Sequence, residues 1–124
     1  PRADAVILDT IGELAQLYQV ATVVFVGGSL VPIGGHNVLE PAALGMPVLF
    51  GPHRQSFRAA GDALVEAGGG WEIHDAPTLA AQITKLWTNT ETARAAGAAA
   101  REVVRRNQGA VTRAVAAVDA IEVV

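Results

Sequence analysis

The sequence has no cysteine, which excludes a disulfide-stapled scaffold and any metal site built on thiolates. It lacks an apolar run of the roughly twenty residues that a membrane-spanning helix requires. Its start lacks the basic-then-apolar pattern of a signal peptide. The 9 Lys and Arg residues form no runs, and the formal net charge is -3. These absences predict a soluble chain for which nucleic acid is not the main partner.

What the chain does contain is apolar residues, 51% of its 124 positions, which suffice for the core of one domain but not of two. They include four short strand-like runs, each followed by apolar residues at helical spacing. The runs are Ala5 to Leu8, Ala21 to Val26, Pro47 to Phe50 and Trp71 to His74. Alternating strands and helices predict an α/β fold, a Rossmann-like parallel sheet with flanking helices.

Local breakers and caps set the expected ends of the helices. Gly45 closes a helix that begins near Val38, and Asp75 or Pro77 opens another. The alanine-rich remainder from Glu91 is expected to form two helices separated at 107–109. Complete nucleotide-binding sheets of this kind usually have about five or six strands. Four predicted strands therefore indicate a piece of a larger protein.

The most informative stretch runs from Gly34 to Pro41, between two apolar runs. Two glycines permit a sharp turn, and Pro41 must lie in the first turn of the helix that follows. The N-H groups around Asn37 to Glu40 are therefore candidate donors to an anion. Asn37 and Glu40 also have capping-box spacing, in which case the helix satisfies its own donors and needs no ligand.

A second strand-to-helix turn, from Asp9 to Glu13, has similar features. Thr10 and Glu13 have capping-box spacing, and Gly12 is unusual in a first helical turn unless something approaches closely. Simple tolerance of a glycine is the alternative. In open parallel sheets, ligands bind at the carboxyl ends of the strands, where both turns are expected.

These motifs together resemble the 3-deoxy-D-manno-octulosonic acid (Kdo) transferases. The matching strings are Asp9-Thr10-Ile11-Gly12-Glu13-Leu14, Phe25-Val26-Gly27-Gly28-Ser29-Leu30, Gly34-Gly35-His36-Asn37-Val38-Leu39-Glu40-Pro41, Pro47-Val48-Leu49-Phe50-Gly51-Pro52-His53 and Asn107-Gln108-Gly109-Ala110. Members of this family have two Rossmann-like halves in the GT-B arrangement. The resemblance implies that residues 1–124 are a fragment of the C-terminal nucleotide-sugar-binding domain, without its first strands and without the N-terminal acceptor domain.

The implied activity is inverting transfer of Kdo from CMP-Kdo to the lipid A precursor in lipopolysaccharide biosynthesis. The resemblance implies no cofactor and no metal ion. It places the general base in the N-terminal half, so we expect this fragment to be inactive alone. The parent enzyme is expected at the cytoplasmic face of the bacterial inner membrane, as a peripheral protein.

The resemblance also implies which residues bind the CMP part of the donor. They are Ile11, Gly12, Glu13, Asn37, Val38, Leu39 and Glu40. By their positions, Gly35, His36 and His53 are further candidates to face the donor, unless the two histidines cap turns. An ionised Glu40 suits a ribose diol because a carboxylate accepts two hydroxyl hydrogen bonds. Arg54 and Arg58 are candidates to attract the anionic donor, unless they form a solvated helix face.

Two other functions remain open on the sequence. One is another GT-B glycosyltransferase or a sugar-nucleotide epimerase that uses a UDP-sugar, since fold does not separate these enzymes. The other is a non-enzymatic flavodoxin-like or receiver-like module. The apolar stripe of the last predicted helix, which includes Val115 and Val118, and an unpaired sheet edge also predict self-association.

Overall fold

A computed structural model describes residues 3–10, 12–30, 32 and 37–119. Strands and helices alternate along most of this part of the chain. In order they are α1 (Leu14–Tyr18), β1 (Val24–Val26), α2 (Leu39–Ala43), β2 (Val48–Phe50), α3 (Arg58–Ala67), β3 (Gly70–Glu72), α4 (Ala76–Thr88) and α5 (Thr90–Asp119).

The three strands form a parallel sheet in the order β1-β2-β3. Val48 on the central strand is paired with Val24 on one side and with Gly70 on the other. Because the strands are parallel, their carboxyl ends lie at one edge, and the loops that lead into α2 and α3 begin there. The predicted Rossmann-like architecture is confirmed for the described residues.

Both faces of the sheet are covered, which explains the continuous apolar runs in the sequence. Val48 and Phe50 point into a cluster that holds residues of α2, α3 and α5. Leu49 points to the opposite face, where it packs with Ile73 and with Leu86 of α4. All five side chains are almost completely buried.

Residues 5–8 do not form the predicted first strand. Val6 is 84% exposed and Ile7 is 89% exposed, and neither belongs to a described strand or core cluster. An apolar run becomes a strand only where a neighbouring strand and a packing face are available, and the described sheet begins at β1. The other three strands are confirmed, although each is shorter than its predicted run, and β3 begins one residue earlier, at Gly70.

The predicted break at 107–109 is also wrong, since α5 is one helix of 30 residues. Asn107 and Gln108 have exposed side chains, and the Thr112 hydroxyl donates to the Gln108 carbonyl at 3.0 Å within the helix. A glycine inside a helix costs only about 1 kcal/mol. Packing of the first half of α5 against α2, α3 and α4 outweighs that local preference.

The second half of α5 carries the apolar residues that suggested self-association. Val115 is 54% exposed and Val118 is 66% exposed. Self-association through this stripe stays a prediction. Within the described residues, no helix combines the length and the hydropathy needed to cross a bilayer.

The predicted start of α4 is confirmed at Asp75, whose Oδ1 accepts a hydrogen bond from the Thr78 N-H at 2.8 Å. Hydrogen bonds from the Thr78 side chain, and then from its backbone, hold the pKa of Asp75 below its usual 3.8. The cap is therefore stronger with the ionised carboxylate than with the protonated one.

We expect Asp75→Ala to lower the melting temperature at pH 7, because an N-cap acceptor is lost. A lowered pKa contributes stability above the unfolded-state value, and this contribution disappears as the pH falls through the folded-state value. The difference between wild type and Asp75→Ala should therefore shrink below about pH 3.8. Melting curves from pH 7 to pH 2.5 measure it, and a constant difference would contradict the role of the charge.

Candidate functional site

An open cleft lies at the edge of the sheet where the strands have their carboxyl ends, which we call the ligand edge. It lies between the starts of α2 and α3 and the middle of α5. It has a volume of about 640 Å³ and is lined by Asn37, Leu39, Arg58 and Asn107, among others. A second cleft of about 740 Å³ shares Asn37, Leu39 and Asn107 and adds Glu40. The start of α2 therefore faces open space on both sides, in the position where open α/β sheets bind ligands.

A side chain accepts a hydrogen bond from a main-chain N-H at the start of α2, but the capping box that Asn37 and Glu40 could form by their spacing is not present. Asn37 Oδ1 accepts a hydrogen bond from the Leu39 N-H at 2.9 Å, across two residues instead of three. The N-cap position is Val38, and it makes no side-chain cap bond. The Leu39 amide, one of the candidate anion donors, is thus already engaged. An anion in this cleft needs a further donor.

Of the two arginines that follow β2, Arg54 is fully engaged by the protein. Its guanidinium lies 2.6 Å from Asp62 Oδ1 and 3.3 Å from Glu72 Oε1. It also lies over the Phe50 ring, 5.4 Å from the centroid. With its charge balanced in this way, Arg54 is a structural residue and not an open anion site.

Arg58 is the cation that the cleft exposes. Its residue is exposed and lines the cleft, and no ion pair joins it to a carboxylate among the described residues. It stands in the first turn of α3, opposite Asn37 and Leu39. An unpaired guanidinium beside an amide side chain is suited to a phosphate or carboxylate ligand.

Ser29 joins the ends of β1 and β2 from inside the protein. Its buried hydroxyl donates to the Val26 carbonyl at 2.8 Å and accepts from the Gly51 N-H at 2.7 Å. The Ser29 carbonyl accepts from the His53 N-H at 2.8 Å. These bonds fix the loop that leads from β2 to Arg58. His53, which is half-buried, is held through its main chain at the start of that loop.

Glu40 faces the second cleft, and its charge contributes to the pKa of Tyr18. Partial burial, and secondarily the negative charge of Glu40, raises the pKa of the Tyr18 hydroxyl above its usual 10.0. Tyr18 also packs against the core cluster that contains α2. The packing of Tyr18 thereby attaches α1 beside α2.

Comparison of the sequence with known proteins gives relatives with one shared name. No family model matches. A 3-deoxy-D-manno-octulosonic acid transferase of Haemophilus influenzae is 41% identical over 106 residues, which cover 85% of this chain and 25% of that protein. The protein of the same name from Bordetella pertussis is 34% identical over 122 residues, covering 98% of this chain and 28% of the relative.

Solved structures provide an independent comparison. The crystal structure of the C-terminal CMP-Kdo binding domain of WaaA from Acinetobacter baumannii matches with a TM-score of 0.72 and 33% sequence identity. The match covers 78% of this chain and 51% of that one. In both sequence and fold, the chain is similar to the C-terminal part of the Kdo transferases. It spans only about a quarter of the length of its curated Kdo transferase relatives.

Two of the residues implied by the Kdo transferase resemblance precede α1. Gly12 has a φ of 95°, a left-handed conformation that favours glycine, and it lies before the helix instead of inside it. Glu13 is the N-cap residue of α1 and makes no side-chain cap bond, so the predicted pairing of Thr10 with Glu13 is not formed. Both residues are exposed. Neither is among the described residues that line the two clefts.

The other residues of the Kdo transferase motif divide by side-chain exposure. Asn37, Leu39 and Glu40 line the clefts. Val38 is completely buried in the core, so only its main chain is open to a role in binding. The predicted site residues Ile11, Gly35 and His36 lie outside the described residues, and their roles stay predictions.

Sequence reasoning missed the contribution of α5. Asn107 lines both clefts, and Gln108 and Thr112 line the second. The sequence offered a usable clue, because polar residues interrupt the alanine-rich pattern at 107–108. In the continuous helix these side chains lie beside the start of α2. The predicted helix end at 107–109 had explained the same polar residues as caps, which hid their place at the cleft.

Proposed function

We propose that this chain binds the donor of a Kdo transferase and that the donor is CMP-Kdo. In the complete protein, the reaction would be inverting transfer of Kdo to the lipid A precursor. The observation that carries the proposal is the pair of adjoining clefts, which share Asn37 and are lined by Arg58 in the first and by Glu40 in the second. The similarity to the Kdo transferases supplies the class of reaction.

The chemistry of the two clefts fits the parts of a nucleoside monophosphate. Arg58 offers a cation for the phosphate, and the amide of Asn37 stands opposite. Glu40, in the adjoining cleft, is an exposed carboxylate able to accept hydrogen bonds from two ribose hydroxyls. The half-buried Leu39 gives an apolar surface between them.

This arrangement would act on the leaving group. As the glycosidic bond to CMP breaks, negative charge grows on the departing phosphate, and the sugar acquires oxocarbenium character. The guanidinium of Arg58 would stabilise that charge, an effect of about 3 kcal/mol in typical electrostatic sites. The general base and the lipid acceptor site would belong to the remainder of the protein, as would attachment to the cytoplasmic face of the inner membrane.

The test is the affinity of the complete protein for CMP with and without Glu40→Gln. We expect binding to weaken about tenfold, because a charged acceptor to ribose hydroxyls is replaced by a neutral amide. Titration calorimetry measures the change. Glu91→Gln is the matched control, since Glu91 is an exposed glutamate at the start of α5, and it should leave the affinity unchanged. Equal affinity of Glu40→Gln and wild type would restrict Glu40 to a role at the helix start.

The same titration with UMP and UDP tests the nucleotide. Tighter binding of a uridine nucleotide than of CMP would contradict the proposal and favour an enzyme that uses a UDP-sugar. Absence of binding by all three would favour a non-enzymatic module.

A further inference from the structure

Arg54 joins three elements beneath the cleft. Its guanidinium contacts Asp62 of α3 at 2.6 Å and Glu72 of β3 at 3.3 Å, and it covers the ring of Phe50 on β2. Its side chain is only 16% exposed. A largely buried arginine with two carboxylates and an aromatic face has little freedom to move.

The same side chain reaches the first turn of α3. Arg54 Nη1 donates to the Arg58 carbonyl at 3.4 Å, and the Arg54 carbonyl accepts from the Phe57 N-H at 3.1 Å. The helix makes room for it with Gly61, where a Cβ atom would lie 2.6 Å from Arg54 Nη1. Arg54 therefore contacts the segment that presents Arg58, although Arg54 itself is not among the residues that line the two clefts.

We propose that Arg54 is a positioning residue, which holds the first turn of α3 so that Arg58 faces the anion in the cleft. This inference rests on the proposed function, since Arg58 is assigned to the donor phosphate. In this arrangement the ion pairs with Asp62 and Glu72 serve two purposes. They neutralise the charge of Arg54, and they hold Arg54 where it orients the first turn of α3 and with it Arg58.

A double-mutant cycle on CMP affinity in the complete protein tests the proposal. Arg58→Gln should weaken CMP binding about tenfold, because the charged phosphate contact is lost. Arg54→Met keeps an unbranched apolar stem over Phe50 but removes the ion pairs, and it should weaken binding about fivefold. If Arg54 acts through Arg58, the double variant should bind CMP no more weakly than Arg58→Gln alone.

Ile73→Val provides the stability control, because Ile73 is buried on the opposite face of the sheet. It should lower the melting temperature without changing CMP affinity. Arg54→Lys should recover only part of the affinity, since one ammonium group cannot reproduce the planar fork between two carboxylates.

The outcomes separate the positioning role from the proposed function. Additive losses in the double variant, or a normal affinity in Arg54→Met, would overturn the positioning role. If the positioning role is overturned in this way but Glu40→Gln still weakens CMP binding, the proposed function stands. A normal affinity in Arg58→Gln would overturn the assignment of the phosphate to Arg58 and the role of Arg54 with it. Failure of the wild type to bind CMP would overturn the function.

Discussion

Gly97→Ala is expected to destabilise the fold by about 3 kcal/mol, because overpacking at a fixed backbone contact has no low-cost relief. A Cβ atom at Gly97 would lie 2.0 Å from the Gly45 carbonyl oxygen and 2.9 Å from its carbon. Neither is the end of a flexible side chain. Gly45 itself ends α2 with a φ of 78°, so this turn has few other conformations. To accept the methyl group, α5 must move away from α2.

Gly109→Ala is the matched control in the same helix, and we expect the opposite sign. A Cβ atom there would meet only Arg113 Nη1 at 3.4 Å, the end of a mobile side chain. Alanine in a helix interior is favoured over glycine by up to about 1 kcal/mol. Urea unfolding of the chain, followed by tryptophan fluorescence, measures both variants. Destabilisation by Gly109→Ala would contradict a continuous α5, because it would show that this glycine ends a helix.

The sequence predicted those parts of the fold that depend on short-range chemistry. Gly45 adopts a positive φ just after α2, and Asp75 caps α4, as local propensity indicates. Apolar periodicity located every described strand. An apolar run wrongly predicted a strand at residues 5–8, and cap-like residues wrongly predicted a helix break at 107–109. In both places the outcome depends on whether a distant element packs against the segment.

The position of the candidate site was predictable from the sequence, but the separate roles of its two arginines were not. The strand-to-helix turn marked Asn37 to Glu40, which the structure places at the clefts, apart from the buried side chain of Val38. Composition gave no reason to separate Arg54 from Arg58. The difference arises from Asp62 and Glu72, which only the fold brings to Arg54. Long-range pairing of this kind leaves no periodic trace in one sequence.

Gly51→Ala is expected to affect both stability and binding, since it acts on the contact between the ends of β1 and β2. A Cβ atom at Gly51 would lie 2.3 Å from the Ser29 carbonyl oxygen and 2.6 Å from the Leu30 nitrogen. The loops cannot keep the Ser29 hydrogen bonds and accept the methyl group together. We expect a loss of about 3 kcal/mol in the free energy of unfolding.

The same change should weaken CMP binding by the complete protein at least about tenfold, because the loop that begins at Gly51 leads to Arg58. Gly27→Ala is the control, since Gly27 lies in the neighbouring loop and has no positive φ. Apart from its own chain neighbours, no atom lies within 4 Å of its Cβ position. This variant should stay within about 0.5 kcal/mol of wild type. Loss of stability in Gly51→Ala with unchanged CMP affinity would show that Arg58 is positioned independently of Ser29. The support of the cleft would then come from the ion pairs of Arg54 alone.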